Sequence, residues 1–423
     1  MGEGFMGMNE PLKDYISAVC RRIRNKDVHE EVALELEDHL HTLKEHAMKE
    51  GRSEKDAVDY AISQMGDPTT VGKQLHQTHR PTFDVAILIP VAVISFFGLI
   101  SMYFIQFQSN ITGIGDIFQS SLIYYLAGLI LMIACFFYDY RKLSRYSGII
   151  YGGTVALLLL TQWVGVRVDG ISYLDIGFAT LHISGIAPFL LVVAFAGMFY
   201  EWNWHAPKKA MIGIGLLAFP ILLLASDGFA AYALGLAVAL VLMTATRAKL
   251  HQILLFGISA IALPALFKPD FFSPVSAGDG AGIRALFQRA GWFGADPSVL
   301  NLNEMHTDYI LAYMVHSFGW VSAIVTLMFT IVFTIRLIQT AKTTAHSFGR
   351  VLTIGVAVVF GIQFAAAILT NTGVLPPSGI TMPFMSFGGT HVLIDMMAAG
   401  LVLSVYRRRR LAPIPTGGTL KSS

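Results

Sequence analysis

His306-Thr307-Asp308-Tyr309-Ile310-Leu311-Ala312 places one carboxylate at the entrance of a long apolar run, directly after the longest polar stretch in the hydrophobic part of the chain. A charge at the centre of a bilayer costs roughly 2.5–3.5 kcal/mol on insertion scales. At the mouth of a helix the same group reaches water, so Asp308 is a functional candidate by position alone. The surroundings set the fold class. The 423 residues are 54% hydrophobic and only 14% charged, and the mean hydropathy is +0.59. That excludes an ordinary soluble enzyme and predicts an all-α polytopic membrane protein.

Working outward from residue 308, ten apolar spans are expected, near 84–106, 118–138, 147–165, 183–201, 209–226, 228–245, 250–267, 309–335, 351–371 and 385–406. Several are close to the roughly 18 residues that just cross the hydrocarbon. Basic residues follow every even-numbered span: Arg141, Lys142 and Arg145; Lys208 and Lys209; Arg247 and Lys249; Arg336, Lys342 and Arg350; Arg407 to Arg410. The positive-inside rule then expects both termini in the cytoplasm, and the 268–307 loop with Asp308 on the outer face.

The first 82 residues differ in composition. They hold 15 of the 28 acidic residues. Apolar residues at helical spacing (Leu12, Tyr15, Ile16, Val19, Ile23, then Val32, Leu36, Leu40, Leu43, Ala47, then Ala57, Val58, Ala61, Ile62, Met65) predict a small helical domain. Gly51 ends its second helix, Ser53 with Asp56 caps the third, and Gly66-Asp67-Pro68 starts a fourth. The expected organisation is a cytoplasmic prefix domain (1–82), a ten-helix membrane domain (83–410) and a cytoplasmic tail (411–423). Cys20 and Cys135 suggest neither a disulfide nor a metal site.

Two outer segments complete the candidate site. The 268–308 stretch mixes Pro, Gly and Asp with Phe271, Phe272, Phe287, Trp292 and Phe293, and Gly291-Trp292-Phe293-Gly294 reads as a membrane-skimming turn. Arg284 and Arg289 are cations on the side where topology gives them no retention role, so they suit an anionic headgroup; the alternative is loop solubility. The last outer segment, from Asn371 to Thr390, carries three consecutive-turn prolines (Pro376, Pro377, Pro383) and the pair Gly388-Gly389. Irregular backbone at membrane depth is tolerated only where protein or a water-filled cavity surrounds it, which points to a site-lining re-entrant segment.

These segments resemble the SEDS family (shape, elongation, division and sporulation; FtsW, RodA and SpoVE). His306 to Ile310 matches its "HTDFI" signature, and Pro383 to Thr390 its "PFISYGGS" segment. Gly361-Ile362-Gln363, Asn371 and Leu375-Pro376 fall at family positions, and Asp227 is similar to the acid of "PDLG" with Ser226 in place of the proline. Residues 35–39 and 65–68 look like a prefix domain of the HAAS type that precedes some bacterial permeases.

The resemblance implies a peptidoglycan glycosyltransferase that polymerises lipid II, the undecaprenyl-diphosphate-linked disaccharide peptide, outside the cytoplasmic membrane. A class B penicillin-binding protein transpeptidase is the implied partner, in elongation, division or sporulation. Asp308 would be the general base, its pKa and basicity raised by partial desolvation. Arg284, Arg289, Trp292, His306, Thr307, Asn371, Ser386, Gly388, Gly389 and His182 would contact substrate. No cofactor is implied, and a requirement for a divalent cation is left open. Membrane lipids are expected neighbours, and nucleic acid is not.

The chain also departs from the family. Ser172-Tyr173 stands where Arg-Trp is expected, His182-Ile183-Ser184-Gly185 replaces "QPSE", Pro188 replaces a lysine, and Val315 to Gly319 replaces "GEELG". These losses motivate two competing functions: a non-catalytic scaffold that regulates a transpeptidase, and a lipid II translocator with Asp227, Gln363 and Asn371 along a central cavity. Other residues read as ordinary. His39, His41 and His46 suit a solvated face, Arg407 to Arg410 a topology anchor, Trp202 and Trp204 an interfacial belt, and Gly153, Gly185 and Gly213 close helix packing.

Overall fold

The computed structural model describes residues 9–24, 29–78, 84–108, 116–168, 171–177, 180–267, 280–295, 305–376 and 379–409. Phe271, Phe272, Asp169-Gly170 and Pro377-Ser378 lie outside them. The chain divides into two compact units, one made of residues 1–83 with 407–423 and one of residues 84–406.

The first unit contains α1 (Glu10–Arg22), α2 (His29–Lys49), α3 (Glu54–Met65) and α4 (Pro68–Thr78). Leu12, Ile16, Val19, Val32, Leu36, Leu40, Val58 and Ala61 close one apolar core. The termini follow local chemistry. Ser53 Oγ accepts the Asp56 amide at 3.2 Å, and Asp67 Oδ2 accepts the Thr70 amide at 3.0 Å, so each helix start has one of its orphan donors satisfied. His41 and His46 are exposed beside Glu45 and Glu50.

The second unit holds α5 (Val85–Gln108), α6 (Ile117–Phe137), α7 (Ser147–Val164), α8 (Ile183–Phe199), α9 (Pro207–Leu224), α10 (Phe229–Ala245), α11 (Leu250–Phe267), α12 (Gly280–Arg289), α13 (Ile310–Phe318), α14 (Trp320–Thr343), α15 (Ser347–Asn371) and α16 (Gly389–Arg407). Among the described residues, seven helices are long and apolar enough to cross a membrane, and α8, α10 and α11 are shorter apolar helices. Nine of the ten expected spans correspond to one helix each. The α8 helix packs against α7 and α15, α10 against α15, and α14 against α5 and α15.

The α14 helix has its polarity inside out. Ile324, Leu327, Met328 and Ile331 are exposed while Ser322, Thr326 and Thr330 are buried. Water would reverse that pattern, whereas hydrocarbon favours apolar groups outside and small hydroxyls at helix contacts. The protein is a multi-pass membrane protein of helical architecture.

Several expectations are corrected. The span expected at 309–335 is two helices, because Gly319 (φ 85°, ψ 174°) ends α13 and starts α14. That backbone region is open essentially only to glycine. The polar stretch before Asp308 is not all loop, since it contains α12. A small antiparallel sheet joins α7 to α8: β1 (Val166–Val168), β2 (Ile171–Asp175) and β3 (Thr180–Leu181), with Val166 opposite Tyr173 and Leu174 opposite Leu181. Trp204 is no belt residue: it is buried and donates to Thr246 Oγ1 at 3.1 Å. Of the three packing glycines, Gly213 sits under Trp202 and Trp204 and Gly185 under two histidine rings, but Gly153 faces open space.

Candidate active site

Asp308 ends a turn that leads into α13, and it is buried. The turn is held from a distant helix. Asn371, the last residue of α15 and fully buried, donates from Nδ2 to the Asp308 carbonyl at 2.7 Å and to the Ala367 carbonyl at 2.7 Å. Its Oδ1 accepts the Ala312 amide at 2.8 Å. Ala312 lies in the first turn of α13, where an amide has no partner in its own helix. Tyr309, at the cap position, makes no side-chain cap. Asn371 therefore caps α13 from outside and fixes the height of the acid. One carboxylate oxygen, Asp308 Oδ2, accepts the Gly379 amide at 3.2 Å.

Residues 382–386 of the irregular segment after α15 are buried and braced. Phe384 has a left-handed φ of 61°, an uncommon conformation for a bulky residue that survives only where surroundings over-determine it. Here Asp395 Oδ2 accepts its amide at 3.2 Å, Tyr125 donates to its carbonyl at 2.7 Å, and its ring lies 5.1 Å from Phe360 and 5.4 Å from Phe333. Ser386 Oγ accepts the Met382 amide at 2.9 Å. The Phe387 amide donates to the His306 carbonyl at 2.7 Å, and the two rings lie 5.6 Å apart. Burial holds the His306 imidazole below its usual pKa.

Beside Gly379 lies a polar cavity of about 20 Å³, room for a water molecule. Its wall includes His182, Ser184, Asp227, Gln363, Thr381 and His391. His182 Nδ1 is 2.9 Å from His391 Nε2, and Ser184 Oγ is 2.8 Å from His182 Nε2. Asp227 Oδ1 and Gln363 Oε1 are buried with no hydrogen-bond partner among the described residues.

The structure thus brings Asp308, His306, Asn371 and the 379–388 segment together, with His182 across the cavity. Other expected contacts lie elsewhere. Arg284 falls in α12, its side chain outside the described ones, and Arg289 is exposed at that helix's end. Trp292 is 67% exposed, on a turn whose carbonyls accept from the start of α14: Trp320 to Gly291 at 3.2 Å and Val321 to Trp292 at 3.4 Å. Gly389 lets α16 approach the Tyr124 ring, and Gly388 lies beside His391. Thr307 is half-buried in the Asp308 turn. Asn371 is not in the cavity wall, although Asp227 and Gln363 are. His391 and Ser184 were not singled out as site residues; the signal was the replacement of expected residues by histidine and serine at 182 and 184.

A family model described as a cell cycle protein, FtsW/RodA/SpoVE, matches residues 290–411, the segment that carries Asp308, Asn371 and the braced loop. The chain is 23% identical over 365 residues to a probable peptidoglycan glycosyltransferase FtsW of Trichlorobacter lovleyi, covering 78% of this chain and 95% of that protein. It is 26% identical over 361 residues to one from Geobacter sp. strain M18, covering 78% and 98%. Its fold is shared with the rod shape determining protein RodA of Thermus thermophilus (TM-score 0.61, 19% identity, 78% of this chain and 98% of that one). It is also shared with a chain of a peptidoglycan synthase complex that coordinates polymerization and crosslinking (TM-score 0.63, 19% identity, 78% and 99%).

Proposed function

We propose that the protein is a peptidoglycan glycosyltransferase that polymerises lipid II at the outer face of the cytoplasmic membrane, with Asp308 as general base. The observation that carries this reading is Asp308, its carbonyl held by Asn371 and its carboxylate accepting the amide of Gly379, a residue in the wall of a polar cavity. Asp308 takes the proton of the acceptor sugar's 4-hydroxyl as that oxygen attacks the anomeric carbon of the donor. The glycosidic bond forms, the bond to undecaprenyl diphosphate breaks, and attack from the opposite side inverts the anomeric centre. The charge bias of the loops supports cytoplasmic termini and an outward Asp308. A class B penicillin-binding protein is the partner that a polymerase of this class would hand its strands to.

The test is polymerisation of purified lipid II by the full chain with its transpeptidase. Asp308→Ala gives no glycan polymer while the protein inserts and stays folded; equal yields from both proteins remove Asp308 from the chemistry. A second reading, a scaffold that regulates a transpeptidase without catalysis, is favoured by the small cavity, which admits water and no sugar in this state. It expects Asp308→Ala to complement a deletion fully.

A further inference from the structure

We infer that the small sheet carries a carbohydrate subsite, which holds one ring of the glycan strand beside the candidate active site. That the ring belongs to a glycan strand rests on the polymerase reading above. Side chains alternate across a strand, so Tyr173 and Asp175 of β2 share one face. The pairing register adds Val166, opposite Tyr173, and Thr180, opposite Asp175, to that face. The other face carries Ser172 and Leu174, which are buried and so turned into the protein.

These four side chains line a groove of about 230 Å³, more than ten times the cavity beside Gly379. The volume is below the roughly 300 Å³ at which pockets for drug-sized ligands begin, so the groove suits one ring and not a whole disaccharide peptide. It is open to the surface, since Val166, Asp175 and Thr180 are exposed.

The chemistry of the wall selects the ligand class. A pyranose presents apolar C–H faces and a rim of hydroxyls. The Tyr173 ring and the Val166 methyls suit the faces; the Asp175 carboxylate and the Thr180 hydroxyl suit the rim. Asp175 Oδ1 accepts the Gly177 amide at 2.8 Å. The turn thus fixes the carboxylate, which has acceptor sites to spare for sugar hydroxyls. A diphosphate headgroup would meet a like charge instead. The groove has no cation among the described residues, and Arg167, opposite Ser172, falls on the other face.

The position ties the groove to the site. The Tyr173 ring lies 5.2 Å from that of His182. His182 lines the inner cavity whose wall includes Gly379, and the Gly379 amide donates to Asp308. A ring in the groove is therefore a neighbour of the reacting sugar and does not touch the acid. A polymer is gripped at several rings at once, so a holding point away from the reacting bond serves a strand.

The experiment measures binding of a soluble tetramer of β-1,4-linked N-acetylglucosamine to the full chain in micelles by saturation-transfer NMR. Wild type transfers saturation to the tetramer's ring protons. Tyr173→Ala weakens binding by about three- to tenfold, the scale of one aromatic contact, and Tyr173→Trp keeps it. Asp175→Asn retains an acceptor for the Gly177 amide and weakens binding by about fivefold, the difference between a charged and a neutral acceptor. Thr180→Arg, at an exposed cross-strand position, pairs with Asp175, fills the groove and abolishes binding without disturbing the buried face; it decides the matter even where Tyr173→Ala misfolds. Inorganic diphosphate does not displace the tetramer. No binding by wild type, unchanged binding in Thr180→Arg, or displacement by diphosphate overturns the subsite. With lipid II and the partner transpeptidase, Tyr173→Ala makes shorter strands and Tyr173→Trp restores their length; strands of wild-type length from Tyr173→Ala overturn the groove's part in polymerisation. Groove binding by a wild-type protein that makes no polymer sinks the enzyme reading and leaves the sugar site standing. Polymer without groove binding sinks the subsite alone.

Discussion

Replacing Asn371 by alanine tests whether the acid is held from α15. The side chain is fully buried and makes three hydrogen bonds, of 2.7, 2.7 and 2.8 Å. Truncation removes the Asn371 partner of the Asp308 carbonyl and of the Ala312 amide. A buried polar group left unsatisfied costs about 1–3 kcal/mol, so Asn371→Ala destabilises the second unit by about 2–6 kcal/mol on that scale. The Ala367 carbonyl adds less, since it lies within a helix. Asn371→Asp is the sharper probe. It keeps the acceptor for Ala312 but turns a donor into an oxygen facing two carbonyls, so it is at least as damaging as alanine. Equilibrium unfolding in mixed micelles measures both, and glycan yield per folded molecule falls in both. A loss below about 1 kcal/mol for alanine, less than one stranded group, or an aspartate variant as stable as wild type, refutes the clamp.

Gly319→Ala forces a glycine-only backbone and drives a Cβ to 2.2 Å from the Trp292 carbonyl; the expected loss is above about 2 kcal/mol, read by thermal unfolding in micelles. Tyr125→Phe removes the donor to the Phe384 carbonyl and lowers stability by about 1–3 kcal/mol, while Phe384→Gly relaxes the backbone but loses the aromatic stack and is destabilised by more. Deleting residues 1–80 leaves membrane insertion intact, measured by carbonate extraction, because residues 84–406 form their own compact unit. Ser53→Ala in residues 1–83 expressed alone lowers the melting transition by the equivalent of about 0.5–2 kcal/mol.

Hydropathy made the apolar helices legible because each is strongly apolar whatever its neighbours do, and seven of those described are long enough to cross a membrane. Helix ends in the first unit were legible because Ser53, Asp67 and Pro68 act on amides three residues away or less. Asp308 and the 379–388 segment stood out since charge and broken backbone are conspicuous in an apolar chain. The split at Gly319 was hidden: a glycine inside an apolar run looks the same whether it packs a helix or ends one, and only its dihedral angles and the Gly291–Gly294 turn against it tell them apart. The small sheet was hidden because strands of two to five residues carry too few alternations. The His182–His391 bond joins positions 209 residues apart, beyond the reach of any local pattern. Trp204 was misplaced for a related reason, since aromatic residues at a span's end suit a headgroup region as well as an inter-helix pocket.

The break at Gly319 separates two mechanical duties that one continuous span would have shared. The α14 helix turns Ile324, Leu327, Met328 and Ile331 to lipid, so its tilt follows bilayer thickness. Asp308 sits across the break, tied through Asn371 to the buried end of α15. Thin and thick membranes will therefore lean α14 differently while the depth of the carboxylate stays in register with the interior of the protein.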